Sequence, residues 1–172
     1  MSIQKRPRVK VPLEPIDWWM EGIAIIGLVL IILLPLLYFS QLPDVIPRHF
    51  DAAGNPDGYS NKSIIWFITV IGVALYTGLH YVNRIPHHFN YSKEVTERNA
   101  PQLYKGATRM MRYFKSVIAC VFAYITWTMI QTSLGRQDGL GGWFMPVFLI
   151  LCFGAILLYI LWENSMNKKI VL

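Results

Sequence analysis

Four long apolar blocks run through this chain, and they restrict its fold more than any other feature. They cover residues 22–39, 64–81, 116–134 and 143–162. Each approaches the roughly 20 residues that a helix needs to cross about 30 Å of hydrocarbon. The blocks predict an all-α integral membrane protein with four transmembrane helices. No apolar stretch outside them is long enough for a separate core, so we expect residues 1–172 to form a single membrane domain.

The composition agrees with this prediction. Hydrophobic residues make up 54% of the chain and charged residues 15%, whereas globular domains have roughly 45–50% and about 25%. Cys120 and Cys152 lie inside apolar blocks and are expected to act as small apolar residues. The first block is longer than the roughly 7–15 apolar residues of a signal peptide. We therefore expect it to remain as a membrane anchor.

The distribution of basic residues predicts the orientation of the bundle. Only Arg48, Lys62 and Arg136 lie on one side, and the other thirteen of the sixteen lysines and arginines lie opposite. The positive-inside rule then places both termini and the 82–115 loop in the cytoplasm, and the 40–62 loop outside. This asymmetry accounts for the net charge of +6 without nucleic acid as a partner. The two tails contribute Lys5, Arg6, Arg8, Lys10, Lys168 and Lys169.

The loop between the first two blocks contains several turn-forming residues. Pro43 and Pro47 exclude a continuous helix through its start. The run Asn55-Pro56-Asp57-Gly58 predicts a tight turn. We expect this loop to form an ordered cap that docks on the membrane surface or on the third and fourth spans. The apolar residues available for docking are Leu42, Val45, Ile46 and Phe50.

This loop resembles the signature of a bacterial membrane family called domain of unknown function sixteen forty-eight (DUF1648). The signature reads roughly L-P-x-x-I-P-x-H-F-x-x-x-G-x-x-D, and the chain has every fixed position. The family includes the N-terminal part of SdpI-like immunity and signalling proteins of Bacillus, and has no settled biochemical activity. The resemblance implies a bacterial cytoplasmic (inner) membrane protein that recognises a ligand or partner through the loop. The residues implied are Pro43, Asp44, Pro47, Arg48, His49, Phe50, Gly54 and Asp57.

A second segment, residues 84–91, is similar to a cytoplasmic segment of some members of this family. It departs from their pattern with Ser92-Lys93 in place of Pro-Val. Its two adjacent histidines would point apart in an extended backbone, which disfavours chelation by both. We interpret the segment as a hydrogen-bonded loop at the headgroup level. Its motif residues are Arg84, Pro86, His87, Phe89, Asn90 and Tyr91.

The third helix is predicted to begin near Asn99, before its apolar block. Lys105, Arg109 and Arg112 follow at spacings of four and three, so they share one helical face. Such a stripe is typical of binding to lipid phosphates or to an acidic partner, and membrane lipid is the simpler choice.

The loop also contains His49 near Asp44 and Asp51, residue types that can ligate a divalent metal. The alternative is that these side chains satisfy the turn amides. No motif for catalysis or for a cofactor is present, so we predict a non-enzymatic protein without a cofactor.

Three functions remain after sequence analysis. The first is SdpI-like ligand or peptide sensing, or immunity, with a regulator or lipid at the cytoplasmic loop. The second is an accessory subunit that stabilises a larger membrane protein complex. The third is metal binding or transport.

Overall fold

The computed structural model describes residues 6–170, with the side chains of residues 6–161. Lys5, which entered the orientation argument, lies outside that description, as do the side chains of Trp162, Lys168 and Lys169. The regular elements, in chain order, are α1 (Pro15–Tyr38), β1 (Val45–Phe50), β2 (Pro56–Asn61), α2 (Ile64–Val82), α3 (Ala100–Ser133) and α4 (Phe144–Ile170). Short 3₁₀ turns occupy Phe39–Gln41 and Pro86–His88.

Each of the four helices is long and apolar enough to cross a membrane, which confirms the four predicted spans as candidates. Two of them begin well before their apolar blocks. α1 begins at Pro15 rather than near Gly22, and α3 has 34 residues from Ala100 to Ser133. At 1.5 Å per residue, α3 is about 51 Å long, which exceeds the ~30 Å of a hydrocarbon core.

The early start of α3 follows from its local sequence. Asn99 occupies the N-cap position, as predicted, and Pro101 lies in the first turn. The Asn99 side chain accepts a hydrogen bond from the Thr96 amide at 2.8 Å and donates one to the Glu94 carbonyl at 2.9 Å. Its side chain thus orders the approach to the helix instead of capping the first-turn amides.

α3 is the central helix, with contacts to α1, α2, α4 and β1. It comes close to α1 at Gly27, where an added Cβ would lie 2.8 Å from the Cβ of Ala119. Small residues at a crossing allow two backbones to come together, and this is a common basis of helix association in membranes. Position 27 therefore requires glycine.

The strand pair corrects the all-α prediction. β1 and β2 form a two-stranded antiparallel sheet between α1 and α2. A buried cluster lies beneath it, formed by Leu42, Ile46, Ile65, Met129 and Ile130. Because this cluster joins the hairpin to α2 and α3, the hairpin is part of the folded bundle.

A second buried cluster lies at the opposite end of the bundle, where the loop after α2 leads into α3. Its members are Val95, Ala100, Leu103 and Tyr104, and Val9 and Val11 pack against them. The Tyr104 hydroxyl donates to the Pro7 carbonyl at 2.9 Å. The segment before α1 is thereby attached to the start of α3.

Candidate functional site

The hairpin between α1 and α2 contains the residues singled out from the sequence. Pro47 pairs with Tyr59, His49 with Gly58 and Phe50 with Pro56. The register therefore shifts twice, first between Pro47 and His49, where β1 has an extra residue, and again between His49 and Phe50, where β2 has one. Arg48 is therefore an extra residue in β1, which defines a β-bulge. Bulges bend a strand and re-aim its side chains, and they are over-represented next to functional sites.

The bulge leaves two successive side chains exposed. Neighbouring residues of a regular strand point to opposite faces, yet Arg48 and His49 are both exposed. The His49 side chain is 70% exposed, and its Nδ1 lies 2.5 Å from Asp57 Oδ1. Opposite the bulge is Gly58, where an added Cβ would lie 3.3 Å from His49 Cβ. A glycine at this position gives the bulged strand room.

The hairpin turn differs from the prediction. The turn forms at residues 52–54, whereas Pro56, Asp57 and Gly58 belong to β2. Pro56 is acceptable there because proline is tolerated as the first residue of a strand. Gly54 supplies the positive φ, at 86°, that the turn needs.

Asp51 holds this turn together. Its Oδ1 accepts a hydrogen bond from the Asn55 amide at 2.8 Å, and its own amide donates to the Asn55 carbonyl at 2.8 Å. The amide of Gly54 donates to the Asp51 carbonyl at 2.9 Å. The hydrogen bond from the Asn55 amide is the main reason that the pKa of Asp51 is lower than its ordinary value.

The tip and the base of the hairpin are both attached to the bundle. At the tip, the Leu140 amide donates to the Gly54 carbonyl at 2.8 Å, and the Tyr124 hydroxyl donates to the Leu140 carbonyl at 3.0 Å. At the base, Lys62 pairs with Asp44 at 3.2 Å and donates to the Leu42 carbonyl at 3.3 Å. The hairpin thus joins α1 and α2 to the loop between α3 and α4.

The other predicted loop residues divide between packing and exposure. Pro47 is buried, and Phe50 is half-buried against the cluster that contains Ile46 and Met129. Pro43 is exposed. Phe50, which was expected both to dock and to take part in recognition, therefore packs against the bundle, because the last residue of β1 turns towards the core.

The predicted metal ligands do not come together. Asp44 pairs with Lys62, Asp51 holds the turn, and His49 pairs with Asp57. Among residues 6–161, no group of three or more His, Cys, Asp or Glu side chains is placed to hold a metal ion. The physical reason is that the three predicted ligands lie before β1, within it and after it.

The segment 84–91 supports the N-terminal segment instead of forming a separate site. Arg6 donates from one guanidinium nitrogen to the carbonyls of Phe89, at 2.5 Å, and His87, at 3.3 Å. The Tyr91 hydroxyl donates to the Pro86 carbonyl at 2.9 Å. The Arg84 guanidinium lies 5.8 Å from the centre of the Tyr81 ring, and Asn90 is exposed.

The two histidines of this segment lie closer together than predicted. The ring centres of His87 and His88 are 4.3 Å apart. The backbone there is a 3₁₀ turn and not an extended strand, so adjacent side chains do not point to opposite sides. Partial burial, followed by the neighbouring His88, lowers the pKa of His87 below its ordinary value.

The basic stripe of α3 faces acidic residues of α1. Arg109 donates to Glu14 Oε2 at 2.6 Å and to Asp17 Oδ1 at 3.0 Å, and Lys105 also pairs with Glu14. Arg112 NH1 lies 3.6 Å from Asp17 Oδ1. The stripe therefore has partners within the chain, whereas the sequence suggested lipid phosphates or an acidic protein.

The pairing continues one turn deeper. Lys115 Nζ lies 2.5 Å from Glu21 Oε2, and Arg112 Nε lies 3.4 Å from Glu21 Oε1. The Lys115 ammonium also lies 5.2 Å from the centre of the Tyr76 ring in α2. We call the seven charged residues the α1–α3 ion ladder: Glu14, Asp17, Glu21, Lys105, Arg109, Arg112 and Lys115.

The acidic half of this ladder was not predicted from the sequence, although the spacing of its residues indicates it. Glu14, Asp17 and Glu21 are spaced three and four apart, so they share one helical face. That spacing complements the four-and-three spacing of the basic stripe. At the end of the ladder nearest the starts of α1 and α3, hydrogen bonds from Lys105 and Arg109 lower the pKa of Glu14.

Comparison with known proteins agrees with the resemblance of the hairpin. Residues 26–73 match the family model described as domain of unknown function (DUF1648). The match runs from α1 through the hairpin into α2, and therefore leaves out the ion ladder. The SdpI-like part of the resemblance has no comparable support.

The chain is also similar to an uncharacterized protein of Archaeoglobus fulgidus. The two are 35% identical over 74 residues, which is 38% of this chain and 40% of the relative. The chain thus aligns with about two fifths of the length of that relative. No solved structure matches the chain. We call residues 26–73, which match that family model and include the hairpin, the DUF1648 segment.

Proposed function

We propose that this chain is a non-enzymatic membrane protein that senses or neutralises an extracytoplasmic ligand or peptide through its hairpin. It would reside in the cytoplasmic membrane of a bacterium with both termini inside, as the positive-inside rule predicts. The recognition surface would be the exposed hairpin set, which we define as Val45, Arg48, His49, Asp57 and Tyr59.

The observation that carries this proposal is the bulge at Arg48. It exposes Arg48 and His49 together, and among residues 6–161 the Arg48 guanidinium forms no salt bridge with a carboxylate. Tyr59 is 56% exposed and Val45 61% exposed. An arginine and an aromatic ring on a firmly attached scaffold are typical of binding surfaces, in which these residue types are enriched.

The chemistry of the set favours a peptide with both apolar and acidic groups. Arg48 has free N–H donors in the planar geometry that matches a carboxylate. Tyr59 and Val45 provide apolar area, and the His49–Asp57 pair provides further polar contacts. The hairpin with its bulge lies inside the DUF1648 segment, which supports recognition as a property of that segment.

Photo-crosslinking in living cells of the native organism tests the proposal. A photoreactive amino acid would replace Tyr59 or, as a control that is also exposed on the hairpin side of the bundle, Arg136 in the α3–α4 loop. We expect a defined crosslinked peptide or protein from position 59 alone, and loss of that product when Arg48→Ala is added. Products that are the same from both positions, or that persist in the Arg48→Ala protein, would contradict the proposal.

A second candidate, an accessory subunit of a larger membrane complex, is favoured by α4. Apart from Phe144 at its start, none of the residues in its most apolar stretch, Phe144–Leu161, is buried within the chain. A helix with so little internal burial has a wide face for another protein. A photoreactive residue at Leu158 would then crosslink to a large membrane protein that co-purifies in mild detergent. A chain that elutes alone or as a homo-oligomer would favour the sensing function.

A further inference from the structure

A groove between α3 and α4 begins at the end of the ion ladder that is formed by Glu14, Lys105 and Arg109. Its volume is about 740 Å³, which is within the range of roughly 300–1,000 Å³ of small-molecule sites. Lys105 and Arg109 line one part, and Met110, Ile150, Leu151 and Leu158 line much of the rest. The groove therefore combines two cations with a long apolar wall.

The position of the groove matches the geometry of a lipid in a bilayer. Its lining on α3 runs from Gln102 to Tyr113, which corresponds to about 16 Å along the helix. Arg109 is paired with Asp17, next to the exposed Trp18 and Trp19 that mark a membrane interface. The cationic end is thus at the interface, and the apolar wall extends into the hydrocarbon.

Charge supplies the argument for an anionic occupant. The ladder has four cations and three carboxylates, so one positive charge is left over. The two deep cations, Arg112 and Lys115, are buried, with side chains 10% and 1% exposed. Lys105 and Arg109 are 39% and 31% exposed. Glu14, which pairs with both of them, is 42% exposed, but it is Lys105 and Arg109 that line the groove, so the accessible N–H donors of the ladder lie there.

The helices meet at one end of the groove, where the Tyr113 hydroxyl donates to the Leu151 carbonyl at 3.0 Å, and they stay apart around the small residues that both provide. Gly106 of α3 and Gly154 and Ala155 of α4 line the open space. Facing small residues commonly allow membrane helices to touch. Here a Cβ added at Gly154 would meet nothing within 4 Å, so a chain-like ligand has room.

We propose that this groove binds one anionic phospholipid of the surrounding membrane. Its phosphate contacts Lys105 and Arg109, and one acyl chain follows Met110, Ile150 and Leu158. The site is independent of the hairpin, so it holds whether or not the hairpin recognises a peptide.

Lipid titration with native mass spectrometry tests this site. Purified protein, stripped of lipid by detergent exchange, would be titrated with dioleoylphosphatidylglycerol or with zwitterionic dioleoylphosphatidylcholine. We expect one phosphatidylglycerol to bind at least about fivefold more tightly than phosphatidylcholine, because each basic residue near a lipid surface adds roughly that factor. Equal affinity for the two lipids would overturn the proposal.

Two variants and one matched control locate the site. Lys105→Gln should weaken phosphatidylglycerol binding about fivefold and phosphatidylcholine binding less, because the choline cation already compensates the phosphate of phosphatidylcholine. Gly154→Leu should block both lipids by filling the groove, and it needs no rearrangement because the space is open. Gly78→Leu, in equally open space on α2, should bind as the unmodified protein does. Unaltered phosphatidylglycerol binding by Gly154→Leu protein with native thermal stability would overturn the proposal.

Discussion

Lys115 of α3 and Glu21 of α1 form a salt bridge of 2.5 Å in which the lysine side chain is only 1% exposed. The two residues are 94 positions apart in the chain. A buried charge without a partner is strongly unfavourable, because low-dielectric surroundings cannot replace its hydration. This pair therefore restricts how α1 and α3 can be placed against each other.

Replacement of Lys115 should destabilise the bundle substantially. Breaking a buried ion pair by removing one partner typically costs about 3–5 kcal/mol. For Lys115→Met we expect a loss of about 3 kcal/mol in the free energy of unfolding, at the lower end of that range, because Arg112 still faces Glu21 at 3.4 Å. The measurement is the free energy of unfolding in mixed detergent micelles.

The double variant Lys115→Met, Glu21→Gln provides the control. It removes both charges, so it should be more stable than the sum of the two single substitutions implies, by about 1 kcal/mol or more. Strictly additive effects would show that the two side chains do not interact as the structure has them.

Gly54→Ala should loosen the hairpin tip. Gly54 has a φ of 86°, and an added Cβ would lie 2.6 Å from the Gly141 nitrogen. Strain of this kind costs about 1–3 kcal/mol, and relief of the clash requires the α3–α4 loop to move away. We expect a lower thermal midpoint together with faster proteolysis between residues 50 and 56. Gly142→Ala, whose Cβ would have only an ordinary 3.7 Å contact, should behave as the unmodified protein does.

Substitution of the His49–Asp57 pair should affect recognition far more than stability. Both side chains are well exposed, and exposed ion pairs contribute about 0–1 kcal/mol. Asp57→Asn should therefore leave the unfolding free energy nearly unchanged while it reduces crosslinking from Tyr59. A large loss of stability would indicate that the pair is a structural element of the sheet.

Acid should weaken the hairpin turn through Asp51. The folded protein holds the pKa of this carboxyl below its ordinary value of 3.8. The turn is therefore stabilised above that value, and the contribution is lost as the pH falls through the lower, folded-state pKa. Hydrogen exchange of the Asn55 amide should accelerate in that acid range, after correction for intrinsic exchange. The Asp51→Asn protein lacks this carboxyl. In it, the corrected exchange rate of the Asn55 amide should therefore show no such acceleration in the same acid range.

The helices were predictable because a membrane span is visible in the sequence as one uninterrupted apolar block. The hairpin was harder to predict because the bulge breaks the alternation that marks a strand. In β1 the buried residues Ile46 and Pro47 are adjacent, and so are the exposed residues Arg48 and His49. Two prolines in and before the strand further hid its regular structure, since proline is uncommon within sheets.

The candidate site was predicted as a set of residues, and their arrangement was not. Arg48, His49 and Asp57 are found together on the hairpin, whereas Phe50, which was expected both to dock and to take part in recognition, packs inward. The ion ladder was missed for another reason: Asp17 and Arg109 are 92 positions apart. A pairing over that distance becomes visible only when the spacings of two helical faces are compared.

The separation within the ladder also affects how the protein is made. Asp17 and Glu21 leave the ribosome more than ninety residues before Arg109 and Lys115, their partners. Until α3 emerges, those carboxylates have no cation from that helix and must stay near water, because unpaired charge is unfavourable within the hydrocarbon. We therefore expect α1 to reach its final depth during biogenesis only after α3 has been synthesised.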